Sequence, residues 1–217
     1  MLIPLYDDNP NQRFPVMTVG LIVTNVLVFF YELSLGDEAL VQFVYAAGFL
    51  PARLIGGELP PGVELLPLPL TFISHMFMHG GWMHLIGNMW FLWIFGDNVE
   101  DRLGPLKFLG IYVAWGWVAA AAQMMLGGDP SVPMVGASGA LAGVLGAYAV
   151  LYPHAKVHAL LFLFIFITRI TIPAFVMLGI WFGIQFYSLG EAGVAWWAHI
   201  GGFIAGLGVA VPLKLSR

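Results

Sequence analysis

Long apolar stretches separated by short polar segments run along this chain. A helix needs about 20 mostly apolar residues to cross a bilayer, within a range of about 17–25. The pattern predicts an all-α membrane protein, and 217 residues suit one compact domain over residues 1–217. The predicted domain is a bundle of six transmembrane helices at about residues 16–35, 77–95, 106–125, 138–152, 172–189 and 192–213.

Two stretches do not fit a spanning helix. Residues 36–69 mix acids, prolines and glycines with apolar clusters, which is typical of a long loop lying in the membrane interface between helices 1 and 2. Residues 159–189 are too long for one span and are interrupted by Arg169 and Pro173. We therefore interpret residues 159–171 as an interfacial or re-entrant segment that precedes the fifth helix.

Lysine and arginine are distributed unevenly between the two ends of the predicted helices. Positively charged residues favour the cytoplasmic side of a membrane protein. With both termini on one side, the other side carries only Arg53. We therefore predict a multi-pass protein of the cell membrane with both termini in the cytoplasm. The side of the termini carries Arg13, Arg102, Lys107, Lys156, Arg169, Lys214 and Arg217.

Composition supports the bilayer as the solvent, because 60% of the residues are hydrophobic and only 9% are charged. A soluble domain has about 25% charged residues. The net charge of −4 without a basic tract argues against a nucleic-acid partner. The absence of cysteine excludes disulfides, thiol catalysis and a cysteine zinc site. Asp7 and Asp8 near the start are unlike a secretory signal, so we expect the first helix to be retained.

Four polar side chains fall within the predicted helices and toward the same, extracytoplasmic face. Ser138 opens helix 4, His199 lies about 10 Å into helix 6 at about 1.5 Å per residue, and His84 and Asn88 occupy the outer half of helix 2. Each one alone has an ordinary structural explanation, such as a helix N-cap for the serine. Polar residues inside a membrane are expensive, however, and four in one layer favour a functional site.

Glycine spacing predicts that helices 4 and 6 touch. Small residues four apart allow two membrane helices to approach closely. Close contact would bring Ser138 within reach of His199, which is the geometry of a nucleophile and its base. The four glycines are Gly139, Gly143, Gly202 and Gly206.

The chemistry expected of this pair is that of a dyad. No Asp or Glu lies in helix 4 or 6 near His199, so the third member of a serine-protease triad is missing. The developing oxyanion needs hydrogen-bond donors. His84 and Asn88, spaced i, i+4 on one face of helix 2, and the backbone N–H of Ser138 are the candidates.

A metal site is the main chemical alternative. His75 and His79 are spaced i, i+4, which is a usable metal pair, and His84 follows. No HExxH motif is present, and the nearest downstream acids, Asp97 and Glu100, lie at the opposite end of helix 2. We therefore predict neither a metal nor a cofactor.

Two further polar groups have two interpretations each. Ser74, His75 and His79 either line a vestibule that supplies water to the site or simply lie at the level of the lipid headgroups. Glu100 and Arg102 either form a polar cluster that holds helices 2 and 3 together or are a solvated ion pair of little energetic value.

Three sequence runs carry a resemblance. They are HGGWMHLIGNMWFLWIFGDNVED at His79 to Asp101, GASGALAGVLGAY at Gly136 to Tyr148, and AHIGGFIAGL at Ala198 to Leu207. Their order and their places on helices 2, 4 and 6 closely resemble those of bacterial rhomboid intramembrane proteases. The resemblance covers every predicted helix from the second onward.

The resemblance implies a six-helix rhomboid-like core in which Ser138 is the nucleophile and His199 the general base. It implies an oxyanion hole made of His84, Asn88 and the Ser138 backbone. It also implies a single-pass transmembrane protein as substrate, cut near the membrane surface and often after a small residue. The fifth helix and the following loop, about residues 172–193, would gate access from the lipid bilayer.

One position departs from this resemblance. Some members of the family carry an aromatic residue four positions after the serine, where it packs on the catalytic histidine, and here that position is Ala142. Trp196 or Trp197 could take over the packing, so what orients His199 stays open. The functional alternatives are a non-catalytic rhomboid-like protein that binds or escorts membrane helices, and a channel or transporter, against which the absence of repeated halves argues.

Overall fold

The computed structural model describes residues 2–127, 129–163, 166–187 and 194–215. These residues are mostly helical, and a 3-10 turn at His75–Phe77 joins two of the helices. The helices are α1 (Val16–Ser34), α2 (Asp37–Ala47), α3 (Ala52–Ile55), α4 (Leu68–Ser74), α5 (Trp82–Leu103), α6 (Pro105–Leu126), α7 (Ser138–Leu151), α8 (Ala174–Tyr187) and α9 (Trp196–Leu215). The strands are β1 (Leu2–Asp7), β2 (Lys156–Leu163) and β3 (Phe166–Pro173).

Three helices in the described part of the chain are long and apolar enough to cross a membrane, namely α1, α6 and α9. α7 and α8 are apolar but shorter. The second predicted span, 77–95, is displaced, because the 3-10 turn delays the helix until Trp82, from where α5 continues to Leu103. The predicted end of the fifth span at 189 and start of the sixth at 192 lie outside the described residues.

A three-stranded antiparallel sheet corrects the all-α expectation. Its strand order is β1-β2-β3, with Leu160 opposite Arg169 in the second pair. The described residues of 159–171 belong to these strands, a conformation that the sequence analysis did not predict for this segment. The location of the segment at the membrane interface stays a prediction. Alternating isoleucine and threonine in β3 favour a strand, because β-branched side chains suit an extended backbone. The N-terminal strand β1 completes the sheet from far away in the sequence.

Residues 36–69, predicted as a loop, contain the helices α2 and α3. The segment is anchored between them, where Phe49 and Leu50 are fully buried. The backbone of Phe49 exchanges two hydrogen bonds with Met134, four residues before the start of α7. This bridge fixes the chain that leads into Ser138.

α7 occupies the centre of the bundle, and most of its residues are buried. It packs against α9 backbone to backbone. A Cβ atom added at Gly202 would lie 2.0 Å from the Gly139 carbonyl oxygen, and one added at Gly206 would lie 2.0 Å from the Gly143 oxygen. On another side, Gly143 packs against the Trp115 ring of α6. The glycine pairs that suggested contact between predicted helices 4 and 6 do face each other.

Buried polar contacts tie the opposite end of the bundle together. Glu100 of α5 accepts the backbone N–H groups of Met17 and Thr18 at 2.9 and 2.7 Å, at the start of α1. Arg102 donates to the carbonyl of Leu213 near the end of α9 at 2.8 Å. The two side chains therefore join α5 to α1 and α9, and the expected cluster between predicted helices 2 and 3 and the solvated ion pair are both wrong.

Candidate active site

Ser138 is the first residue of α7, and the chain before it is held tightly. The N–H of Gly136 donates to the carbonyl of His75 at 2.8 Å. Gly136 adopts a φ of 127°, and a Cβ there would lie 2.7 Å from the His84 ring. Position 136 therefore requires glycine, because a larger residue would disfavour this φ angle and its Cβ would collide with His84. Because α7 begins at Ser138, the backbone N–H of Ser138 lies at the helix N-terminus. There N–H groups lack intrahelical partners, and the helix dipole has its positive end.

Ser138 and His199 are in hydrogen-bond contact. The Ser138 Oγ and the His199 Nε2 are 2.9 Å apart, although 61 residues separate them in sequence. His199 lies in the first turn of α9, three residues before Gly202. The close packing of Gly202 on Gly139 therefore sets the distance between the two side chains.

The other nitrogen of His199 has a partner that the sequence analysis missed. Its Nδ1 lies 2.8 Å from Oε1 of Gln185, a residue of α8 that is only 4% exposed. The Gln185 Nε2 donates to the Trp181 carbonyl one turn earlier, at 2.8 Å. The third group of a serine-protease triad is usually a carboxylate, and a glutamine does not match that pattern. A lone glutamine in an apolar helix is itself a costly exception and was the available signal.

Two aromatic rings also border His199. Trp181 lies 6.0 Å from it between ring centroids, and Trp196 meets it edge-on at 5.7 Å. Ala142 is fully buried, and a Cβ added at Gly202 would lie 3.3 Å from the Ala142 Cβ. Ala142 itself therefore presents only a methyl group to its surroundings. The orienting contacts come from α8 and from the start of α9.

His84 and Asn88 lie on the α5 side of the site. The Gly80 N–H donates to Nδ1 of His84 at 3.4 Å, so the ring proton is on Nε2, the nitrogen that faces Gly136. Asn88 is 6% exposed, and its Nδ2 donates to Nε2 of His79 at 3.0 Å. The amide of Asn88 carries a second N–H in addition to this one.

Polar residues before α5 build the wall of the site. The backbone N–H of His79 donates to the carboxylate of Glu32 in α1 at 3.1 Å, a contact not anticipated from sequence. Burial lowers the pKa of His75 to about 4, so its imidazole is neutral and its Nδ1–H donates to the Thr71 carbonyl at 2.7 Å. His75 and His79 are 4% and 5% exposed, and His75 lines a small cavity that Ser138 also borders. Ser74 donates to the carbonyl of Ala47.

The imidazoles considered as metal ligands are already engaged. Nδ1 of His75 is bonded to Thr71, and Nε2 of His79 accepts from Asn88. Among the residues that the structure describes, no group of three or more His, Cys, Asp or Glu side chains is arranged to hold a metal ion. One nitrogen of each of these two imidazoles is therefore occupied by a protein partner.

The fold and the site define a helical membrane protein in which a serine hydroxyl meets an imidazole at the N-terminus of a central helix. The family model of the Rhomboid domain matches residues 69–215. The chain belongs to the rhomboid family. The match includes the three runs that carried the resemblance, so the family predicted from them is confirmed.

Relatives with this domain include proteins of bacteria, yeast and plants. The chain is 31% identical to the rhomboid protease GluP of Bacillus subtilis (strain 168) over 204 residues, which is 94% of this chain and 36% of GluP. It is 37% identical to the mitochondrial Rhomboid protein 1 of Saccharomyces cerevisiae over 103 residues, 44% of this chain and 28% of that protein. It is 36% identical to RHOMBOID-like protein 5 of Arabidopsis thaliana over 75 residues, 35% of this chain and 24% of that protein. The chain thus spans only about a quarter to a third of the length of these relatives.

Proposed function

We propose that this protein is an intramembrane serine endopeptidase that cleaves single-pass transmembrane proteins near the outer membrane face. The observation that carries the proposal is the 2.9 Å contact between the Ser138 Oγ and the His199 Nε2. A serine hydroxyl is a weak nucleophile until an adjacent base accepts its proton. Membership of the family supports the reaction class, and GluP is named as a protease.

The reaction follows from these atoms. The Ser138 Oγ attacks the carbonyl carbon of the scissile peptide as its proton passes to Nε2 of His199. The tetrahedral intermediate collapses, the C–N bond breaks, and Nε2 gives its proton to the leaving amine. Water then attacks the acyl-enzyme, losing a proton to Nε2, and Ser138 recovers its proton as the acid leaves.

The oxyanion donors are the Ser138 backbone N–H, the Nε2–H of His84 and the side-chain amide of Asn88. The first lies at the positive end of α7, where negative charge is favoured. The second faces Gly136, beside the nucleophile. Preorganised donors of this kind are worth about 100- to 1,000-fold in kcat each.

A small cavity beside Ser138 supports a preference for small side chains next to the cleaved bond. Its wall includes glycine and alanine positions that leave room for a methyl group rather than an aromatic ring. Among the residues lining it are Gly116, Ala119, Ala120, Gly139 and Ala198.

The proposed topology has both termini in the cytoplasm and the site toward the extracytoplasmic face of the cell membrane. Support comes from the end of the bundle opposite Ser138. There Tyr148, near the end of α7, hydrogen-bonds Asp7 of β1, and Arg102 bonds Leu213 near the end of α9. Residues near both termini therefore share one end. Reporter fusions after Arg102 and within residues 127–133 should report opposite sides, with the first one cytoplasmic.

The central test compares wild type with Ser138→Ala and His199→Ala in detergent micelles. A fluorophosphonate probe should label wild type only, and only wild type should cleave a single-pass transmembrane test substrate, with or without a chelator. Labelling that persists in Ser138→Ala would refute the assignment. A folded wild type that neither reacts nor cleaves would instead favour a rhomboid-like protein that only binds membrane helices.

A further inference from the structure

The hydrogen bonds of Gln185 determine which nitrogen of His199 carries its proton. The carbonyl of Trp181 can only accept, so the Gln185 atom 2.8 Å from it must be the NH₂ group. The amide oxygen therefore faces His199 Nδ1, also at 2.8 Å. An oxygen can only accept there, so Nδ1 must bear the ring hydrogen. Nε2 is left unprotonated, as acceptance of the Ser138 proton requires.

We propose that Gln185 is a positioning residue that holds His199 in the tautomer and orientation needed to activate Ser138. This inference rests on the proposed function, and it gives the site a neutral amide in the place where soluble serine proteases have a carboxylate. Gln185 is 4% exposed, so water does not compete for its oxygen. It also accounts for the orientation of His199 although Ala142 offers no ring to pack on it.

The tautomer and orientation of His199 therefore depend on the position of α8. Ser138 and His199 are on α7 and α9, which contact each other directly through glycine backbones. α8 reaches α9 through side chains instead, chiefly Phe182 stacked on Phe203 with ring centroids 4.3 Å apart. A displacement of α8 can therefore break the Gln185–His199 bond while the Ser138–His199 pair stays together. The enzyme would then hold a base free to adopt the wrong tautomer.

The experiment measures fluorophosphonate labelling rates and the kcat and KM for a single-pass transmembrane peptide, in full-length protein. Gln185→Met keeps the volume but removes the acceptor, and should lower kcat and the labelling rate roughly 10- to 100-fold with KM little changed. Gln185→Glu keeps an acceptor and should recover most of the rate. Its carboxylate favours the imidazolium, so the acid limb of the pH–rate profile should move to higher pH. Ile184→Met, at an exposed neighbouring position of α8, is the matched control and should match wild type.

A double-mutant cycle tests the link to α8. Phe182→Ala should lower kcat in wild type but add little in the Gln185→Met background, because the bond that it disturbs is already absent. Additive losses would overturn this link.

The outcomes separate the two proposals. If wild type is active and Ser138→Ala is inactive, but Gln185→Met retains the wild-type rate, the positioning role is overturned and the protease assignment stands. Equal losses in Gln185→Met and Gln185→Glu, with an unchanged pH profile and a lower Tm, would also overturn it. An inactive wild type would instead refute the proposed function.

Discussion

Replacing Gly202 with alanine tests whether the approach of α7 and α9 sets the geometry of the Ser138–His199 pair. The new Cβ would lie 2.0 Å from the Gly139 carbonyl oxygen, whereas real Cβ atoms essentially never come closer than 3.0 Å. The obstacle is backbone, which cannot rotate away as a flexible side chain can. The two helices must therefore separate by about 1 Å near the site.

The expected effect on activity exceeds the effect on stability. His199 lies one turn before Gly202, so a shift of about 1 Å would stretch the 2.9 Å Ser138–His199 hydrogen bond beyond its useful range. A misplacement of about 1 Å at reacting groups costs about 100-fold in rate. Overpacking itself should lower the free energy of unfolding by about 1–3 kcal/mol.

The assay follows thermal unfolding and fluorophosphonate labelling of Gly202→Ala in the same detergent. Gly208→Ala is the matched control, because Gly208 is exposed on the same helix and an added Cβ there has nothing within 4 Å. It should label at the wild-type rate. A Gly202→Ala protein that labels within about twofold of wild type would refute the claim that this backbone contact determines the geometry of the pair.

Three more changes have defined outcomes. His84→Ala removes a proposed oxyanion donor and should lower kcat about 100-fold with little change in KM; steady-state kinetics showing a change in KM alone would contradict that role. Glu100→Ala leaves one buried and one partly buried N–H group at the start of α1 without their acceptor and should cost about 2–3 kcal/mol of unfolding free energy, seen as a lower Tm, with Glu100→Gln losing less. Burial raises the pKa of Asp7 to about 6, so the folded state favours the protonated carboxyl. Its stabilising contribution is complete below about pH 4 and is lost as the pH rises through about 6; Asp7→Asn should remove that part of the dependence of Tm on pH, and an unchanged dependence would contradict it.

The sequence predicted several helices well but did not predict the sheet. The spans at residues 16–35 and 106–125 match α1 and α6 closely. The strands β2 and β3 were not predicted, because short apolar runs look alike in helices and strands. β2 also pairs with β1, about 150 residues earlier in the chain, and no local pattern carries that information.

At the site, Ser138 and His199 could be predicted from the local sequence. The positions of their partners depend on contacts between residues far apart in the chain. Both residues stood out because polar groups within apolar helices are costly. Glu32 and Gln185 were subject to the same rule but lay outside the motifs. Their contacts depend on the tertiary structure, which places α1 beside His79 and α8 beside His199.

The amino-acid sequence by itself determined that this is an apolar membrane protein and that glycines would let two helices meet, and it predicted that a serine and a histidine lie in the same membrane layer. These follow from composition and spacing, which are properties of the chain alone. Only the tertiary structure decided that Gln185 completes the hydrogen-bond chain from Trp181 through His199 to Ser138. A hydrogen bond needs its atoms within about 3 Å, and the packing of three separate helices sets that distance.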